Sequence, residues 1–113
     1  MSKDYVEKAK AIDLNGRTLY QAAPEAMEGY RKLMTAASAD GALSGKTKEL
    51  MALTISVALR CEGCITYHAR ASARKGASRE EVAEAITVAV EMAGGPATVY
   101  GGEALVAFEQ FQG

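Results

Sequence analysis

Residues 49–68 read E-L-M-A-L-T-I-S-V-A-L-R-C-E-G-C-I-T-Y-H, and the remaining segments of the 113-residue chain are placed around them. Leu50 to Leu59 is almost wholly apolar, the pattern of a helix enclosed by others. It is far too short to cross a membrane, which takes about 20 residues. Cys61 and Cys64, the only two cysteines, stand at C-x-x-C spacing, where two thiols reach each other. His68, the only histidine, follows Cys64 by four residues and so lies one turn further along the same helix face. Glu49 stands twelve residues before Cys61. If the two helices fold back near Arg60, at ~1.5 Å of rise per residue Glu49 and His68 come within about two turns of each other. Thiols, base and carboxylate together outline redox chemistry.

Composition narrows the alternatives. Thirteen basic and fourteen acidic residues leave a net charge of −1 without a basic face, which argues against nucleic acid as a partner. Met1-Ser2-Lys3-Asp4 opens no apolar run, so neither a leader nor a membrane anchor is expected, and the reading is cytoplasmic. In that compartment a cysteine pair is catalytic, redox-active or metal-binding more often than a structural staple. Abundant alanine, no tryptophan and few aromatics predict helices packed through small side chains. The thin core that results predicts association with identical copies.

Outward from the central stretch, no segment alternates with period two, and the expectation is one all-α domain over residues 1–113, a compact bundle of about six helices. Asp4-Tyr5-Val6-Glu7 has the form of a capping box for a short first helix carrying Val6, Ala9 and Ile12 inward and stopping at Leu14-Asn15-Gly16. Pro24 opens a second, whose stripe of Met27, Tyr30, Leu33, Met34 and Ala37 reads as core or subunit contact. Ser44 caps a third helix over about Gly45 to Leu59, charged in its first turns and apolar beyond. The fourth runs from near Cys61 to Lys75, with Gly76 as its stop. Ser78-Arg79-Glu80-Glu81 is a capping box for a fifth, with Val82, Ala85, Ile86, Ala89 and Val90 inward. Gly94-Gly95-Pro96 separates it from a sixth lined by Tyr100, Ala104, Ala107, Phe108 and Phe111. Gly101-Gly102 weaken that last helix by about 1 kcal/mol each unless a neighbour packs there closely.

A thiol reacts as its thiolate. A helix N-terminus, Arg60 and the imidazole of His68 all favour that form here, and Glu62 opposes it. Glu49 is either the group that orients His68 or an ordinary surface carboxylate. Competing readings fit less well. A zinc site from Cys61, Cys64 and His68 lacks a fourth Cys or His. Haem attachment needs histidine where Ile65 stands, and a thioredoxin-type domain needs strands. Two inert thiols beside a core histidine remain the plain alternative. Tyr67 on a packed helix reads as core.

The pattern E-x11-C-x-x-C-x3-H across two helices, followed by a glycine, a capping box and G-G-P, resembles the alkylhydroperoxidase D-like group of the carboxymuconolactone decarboxylase superfamily over about residues 24–110. The resemblance implies an all-helical single-repeat fold assembling as a homo-oligomer, a trimer or hexamer, with sites near subunit contacts. It implies peroxide reduction without a cofactor by a thiol pair cycling between dithiol and disulfide, with an external dithiol as reductant. By position Cys64 corresponds to the attacking thiol, Cys61 to the resolving one, and Glu49 and His68 to the proton relay. Bottom-up, Cys61 beside Arg60 is the more exposed candidate, whereas proximity to His68 favours Cys64. Where the group often carries a second histidine, just before the second cysteine, this chain has Gly63. The lactone decarboxylases of the superfamily generally lack the cysteine pair; an acid–base enzyme on Glu49 and His68, or a redox-sensing oligomer without catalysis, are the alternatives.

Overall fold

The computed structural model describes residues 3–113, in which six helices and no strands are formed. The start of the chain at Met1-Ser2 lies outside the described residues. The elements are α1 (Tyr5–Ala22), α2 (Pro24–Ser38), α3 (Gly45–Ala58), α4 (Glu62–Arg74), α5 (Arg79–Ala93) and α6 (Gly95–Gln112). Helices α3 and α4 pack as an antiparallel pair; α5 lies against α3, and α6 covers α4 and α5. Helix α1 lies on α4 and α6, while α2 packs mainly against α1 and α3. Small side chains allow the close packing: Ala97, Gly101, Ala104 and Ala107 line the buried side of α6 beside Phe108. They meet Leu53 and Val57 of α3, Ile65 and Ala69 of α4, and Val82, Ile86 and Ala89 of α5.

Local chemistry sets the boundaries. Ser44 and Ser78 cap α3 and α5, and Ser78 and Glu81 form the reciprocal box. Asp4 caps α1 through the Glu7 N–H, but the Glu7 carboxylate turns to Lys10 instead of back to the cap. Two helices end in the same hydrogen-bonded reversal. After α4, the N–H groups of Gly76 and Ala77 donate to Ala73 and Ser72, with Gly76 at a φ of 82°. After α3, the N–H groups of Arg60 and Cys61 donate to Val57 and Ser56, with Arg60 at a φ of 57°. This left-handed position is glycine's by preference, and a side chain there stores roughly 1 kcal/mol. The reversal folds α4 back along α3, as the hairpin reading required.

Four expectations are corrected, the last of them in part. Helix α1 does not stop at Leu14-Asn15-Gly16 but runs on to Ala22. One helical glycine is opposed by about 1 kcal/mol only. That is outweighed by docking before and after the glycine: Tyr5 and Ala9 are buried and Asp13 is clasped by both terminal guanidinium nitrogens of Arg70 at 2.9 and 3.0 Å, and beyond it Tyr20 is half-buried and α1 packs on α2. Within α1, Val6 is exposed and Ile12 half-buried, so Tyr5 replaces them as the inward anchor. Helix α3 is not enclosed on every side within one chain, since Met51 and Ile55 are 47% and 55% exposed. Of the two readings of the α2 stripe, core or subunit contact, the core is excluded within one chain: nothing on that helix is buried, and Leu33 is 65% exposed. The inner faces of α5 and α6 are as expected.

The two helical glycines separate cleanly. A Cβ on Gly101 would lie 2.6 Å from Cγ2 of Ile86, a contact that a β-branched side chain relieves only if α5 and α6 move apart. A Cβ on Gly102 meets nothing within 4 Å. We therefore expect Gly101→Ala to lower stability by about 1–3 kcal/mol despite the better helix former. Gly102→Ala should raise it by about 0.5–1 kcal/mol. Urea denaturation of the two variants checks this, and equal effects would contradict the packing described.

Candidate active site

Helix α4 begins at the cysteines. Cys61 is its N-cap residue, and its Sγ accepts the Cys64 N–H at 3.2 Å. The two sulfurs are joined as a disulfide across a Cα–Cα distance of 5.3 Å, so the C-x-x-C spacing does bring them together. When reduced, the Cys61 sulfur sits where an unpaired helix N–H stabilises negative charge. Glu62, which should oppose a thiolate, is drawn outward by Lys3 and Lys8, and these ion pairs hold its carboxyl below the usual range. The local field at the cysteines is thus more positive than the sequence suggests.

One turn further along, His68 Nδ1 lies 2.8 Å from Glu49 Oε1. Glu49 is only 7% exposed, which removes its reading as a surface carboxylate. It sits one turn into α3, on the side facing α4, because the Arg60 reversal sets the two helices in register. A carboxylate at Nδ1 fixes the tautomer with the proton on that nitrogen, leaving Nε2 as the basic atom. All four predicted residues, Glu49, Cys61, Cys64 and His68, therefore lie along one helix pair.

Two cavities flank the imidazole. One, of about 490 Å³, is lined by Glu49, Lys48, Met51, Ile55 and Leu43 on the α3 side. The other, of about 700 Å³, is lined by Cys61, Gly63 and Cys64 together with Ile12, Asp13, Arg17, Tyr20 and Tyr30. Met34, Tyr67 and His68 belong to both, as the wall between them. That wall is tied by the Tyr67 hydroxyl, which donates to Met34 Sδ at 3.8 Å, and by the edge-on contact of Tyr67 with His68 at 5.0 Å between ring centroids. Arg70 stands over the Tyr67 ring at 5.5 Å. Cavities of this size accommodate small organic molecules.

Sequence reasoning placed Tyr67 in the core, whereas it is half-buried and lines both cavities. The signal was present, since residue 67 lies three after Cys64 on the same helix face. Arg17 and Tyr20 were missed because α1 was ended too early. Met34 and Tyr30, expected in the core or at a subunit contact, line cavity wall in the single chain. No helix among the described residues is long and apolar enough to cross a membrane.

Residues 24–107 match the model of the carboxymuconolactone decarboxylase family. An uncharacterized protein of Cupriavidus necator is 35% identical over 109 residues, covering 96% of both chains. Among solved structures, the apo form of a carboxymuconolactone decarboxylase family protein from Legionella pneumophila superposes with a TM-score of 0.93 at 41% identity, over 96% of this chain and 97% of that one. A Thermotoga maritima protein of the same family, with a suggested involvement in antioxidative response, gives 0.79 at 32% identity, over 97% and 91%. With the family model spanning most of the chain and the fold matched end to end, this chain belongs to the carboxymuconolactone decarboxylase family.

Proposed function

We propose that the chain is a cytoplasmic thiol-dependent peroxidase in which Cys61 and Cys64 cycle between dithiol and disulfide, served by the Glu49–His68 pair. The observation that carries this reading is the Cys61–Cys64 disulfide at a helix N-terminus, one turn from a histidine bonded to a buried glutamate. In the oxidative half, His68 takes the proton of Cys64. The thiolate attacks the terminal oxygen of a hydroperoxide, the O–O bond breaks, and the leaving alkoxide recovers the proton as alcohol. Cys64 is then a sulfenic acid. Cys61 attacks that sulfur, an S–S bond forms, and hydroxide departs as water.

An external dithiol supplies the two electrons that close the cycle. Its attack falls on Cys64, because Cys61 is the better leaving group, its sulfur bonded to a helix N–H. The same reading treats residues 1–113 as one domain that works as a trimer or hexamer. The exposed Leu33, Met51, Ile55, Leu59 and Met92 support that assembly, since single chains seldom leave so much apolar surface uncovered.

Steady-state consumption of cumene hydroperoxide with dithiothreitol as reductant tests the proposal. We expect a saturable rate proportional to enzyme, with cumyl alcohol as product. A rate equal to the background of dithiothreitol alone would overturn it. An acid–base lactone decarboxylase using Glu49 and His68 would instead keep its activity after both thiols are alkylated.

A further inference from the structure

The larger cavity has a polarity that the thiol chemistry does not require. Its body is Ile12, Met34 and three tyrosines, Tyr20, Tyr30 and Tyr67, with the disulfide at one end. Two charged side chains of α1 join that lining, Arg17 and, one turn before it, Asp13. Among the described residues Arg17 has no hydrogen-bond or ion-pair partner. The carboxylate within its reach, Asp13, is already taken by both terminal nitrogens of Arg70. Asp13 is also held low, chiefly by Arg70, with Arg17 and Arg74 adding to the positive field. Arg70 and Arg74 line a separate pocket, and with Asp13 held by Arg70 the Arg17 guanidinium is left without a counter-charge in this one. An unpaired guanidinium on the rim of an apolar, aromatic-lined cavity is a recognition group for a carboxylate.

The helix geometry sets a distance. Ile12 is anchored at the cysteine turn, where a Cβ on Gly63 would lie 3.8 Å from Ile12 Cδ1. Arg17 is five residues further along α1, a rise of about 7.5 Å. That offset along α1, between the residue at the cysteine turn and the guanidinium-bearing one, is of the order that a benzene ring between a hydroperoxyl carbon and a carboxylate spans.

We propose that this cavity selects aryl or similarly compact organic hydroperoxides carrying a carboxylate about one ring-length from the peroxide, with Arg17 as the specificity-determining residue. The proposal rests on the peroxidase reading for the reaction, but not for the binding. Two arms test it. In the first, kcat/KM is measured for para-carboxycumene hydroperoxide and for cumene hydroperoxide, matched bodies that differ in the carboxylate alone. The wild-type ratio should favour the carboxylated substrate by about tenfold, the scale of one charge-assisted contact. It should fall towards one in Arg17→Gln and largely return in Arg17→Lys. Arg79→Gln, whose side chain pairs with Glu109 away from the cavity, should keep the wild-type ratio.

In the second arm, binding of para-isopropylbenzoate, which carries no peroxide, is followed by tyrosine fluorescence. Its Kd should weaken by a similar factor in Arg17→Gln. If neither hydroperoxide is turned over yet this binding still depends on Arg17, the peroxidase reading fails and the site stands. A ratio or a Kd indifferent to Arg17 overturns the site, whatever the thiols do.

Discussion

Replacing Cys64 by serine abolishes hydroperoxide consumption, with kcat/KM falling on the order of 10³-fold or more, because the attack is assigned to the thiol one turn from the His68 base. Cys61→Ser behaves differently. It keeps the attacking thiol, so it reduces one equivalent of hydroperoxide. It then stalls as a sulfenic acid and proceeds to the sulfinic acid with excess oxidant. Intact-protein mass spectrometry separates the outcomes: no added oxygen in Cys64→Ser, and one then two in Cys61→Ser. Two opposing arguments make this comparison informative. The Cys61 sulfur has the helix N–H bond that lowers a thiol's proton affinity, whereas Cys64 lies one turn from the base. The account gives Cys64 the attack and Cys61 the leaving-group role. The opposite pattern would reverse those roles, and full multiple-turnover activity in both variants would end the mechanism.

The second large effect belongs to the Glu49–His68 pair. His68→Gln should lower kcat/KM by about 10²–10⁴-fold, the usual contribution of a positioned general base. Glu49→Gln keeps an acceptor for the Nδ1 proton but removes the charge, and about 10–100-fold should be lost. Because Glu49 touches the reaction only through His68, the two losses should not add, and the double variant should match His68→Gln within about a factor of two. Full additivity would mean that Glu49 acts independently of the imidazole. Circular dichroism of each variant keeps a folding defect apart from a chemical one, since Glu49 is buried between α3 and α4.

How much of this was legible in the sequence depended on whether local chemistry or tertiary packing decided the outcome. Serine caps, the Gly76 stop and the inner faces of α5 and α6 are written in residues within a turn of one another. The four candidate site residues were readable because helical spacing alone puts Cys64 and His68 on one face, and a single reversal brings Glu49 alongside. That reversal itself carried no glycine signal, since Arg60 occupies the left-handed position. The length of α1 was hidden for the opposite reason: Asn15-Gly16 looks like a stop, and the clasp between Asp13 and Arg70, fifty-seven residues apart, overrides it. With α1 cut short, Arg17 and Tyr20 dropped out of view, and with them part of one cavity wall. The exposed faces of α2 and α3 show the limit of a hydropathy pattern, which marks surface to be covered without saying whether the same chain covers it.

The central claim is that Cys61 and Cys64 together give two electrons to a hydroperoxide. It is tested most directly by mixing the fully reduced protein, free of added thiol, with one equivalent of cumene hydroperoxide and counting both products. The account predicts two thiols lost for each cumyl alcohol formed, with peptide mapping placing the new bond between Cys61 and Cys64 of the same chain. Thiols that survive the equivalent unchanged, or that vanish without alcohol appearing, would contradict it.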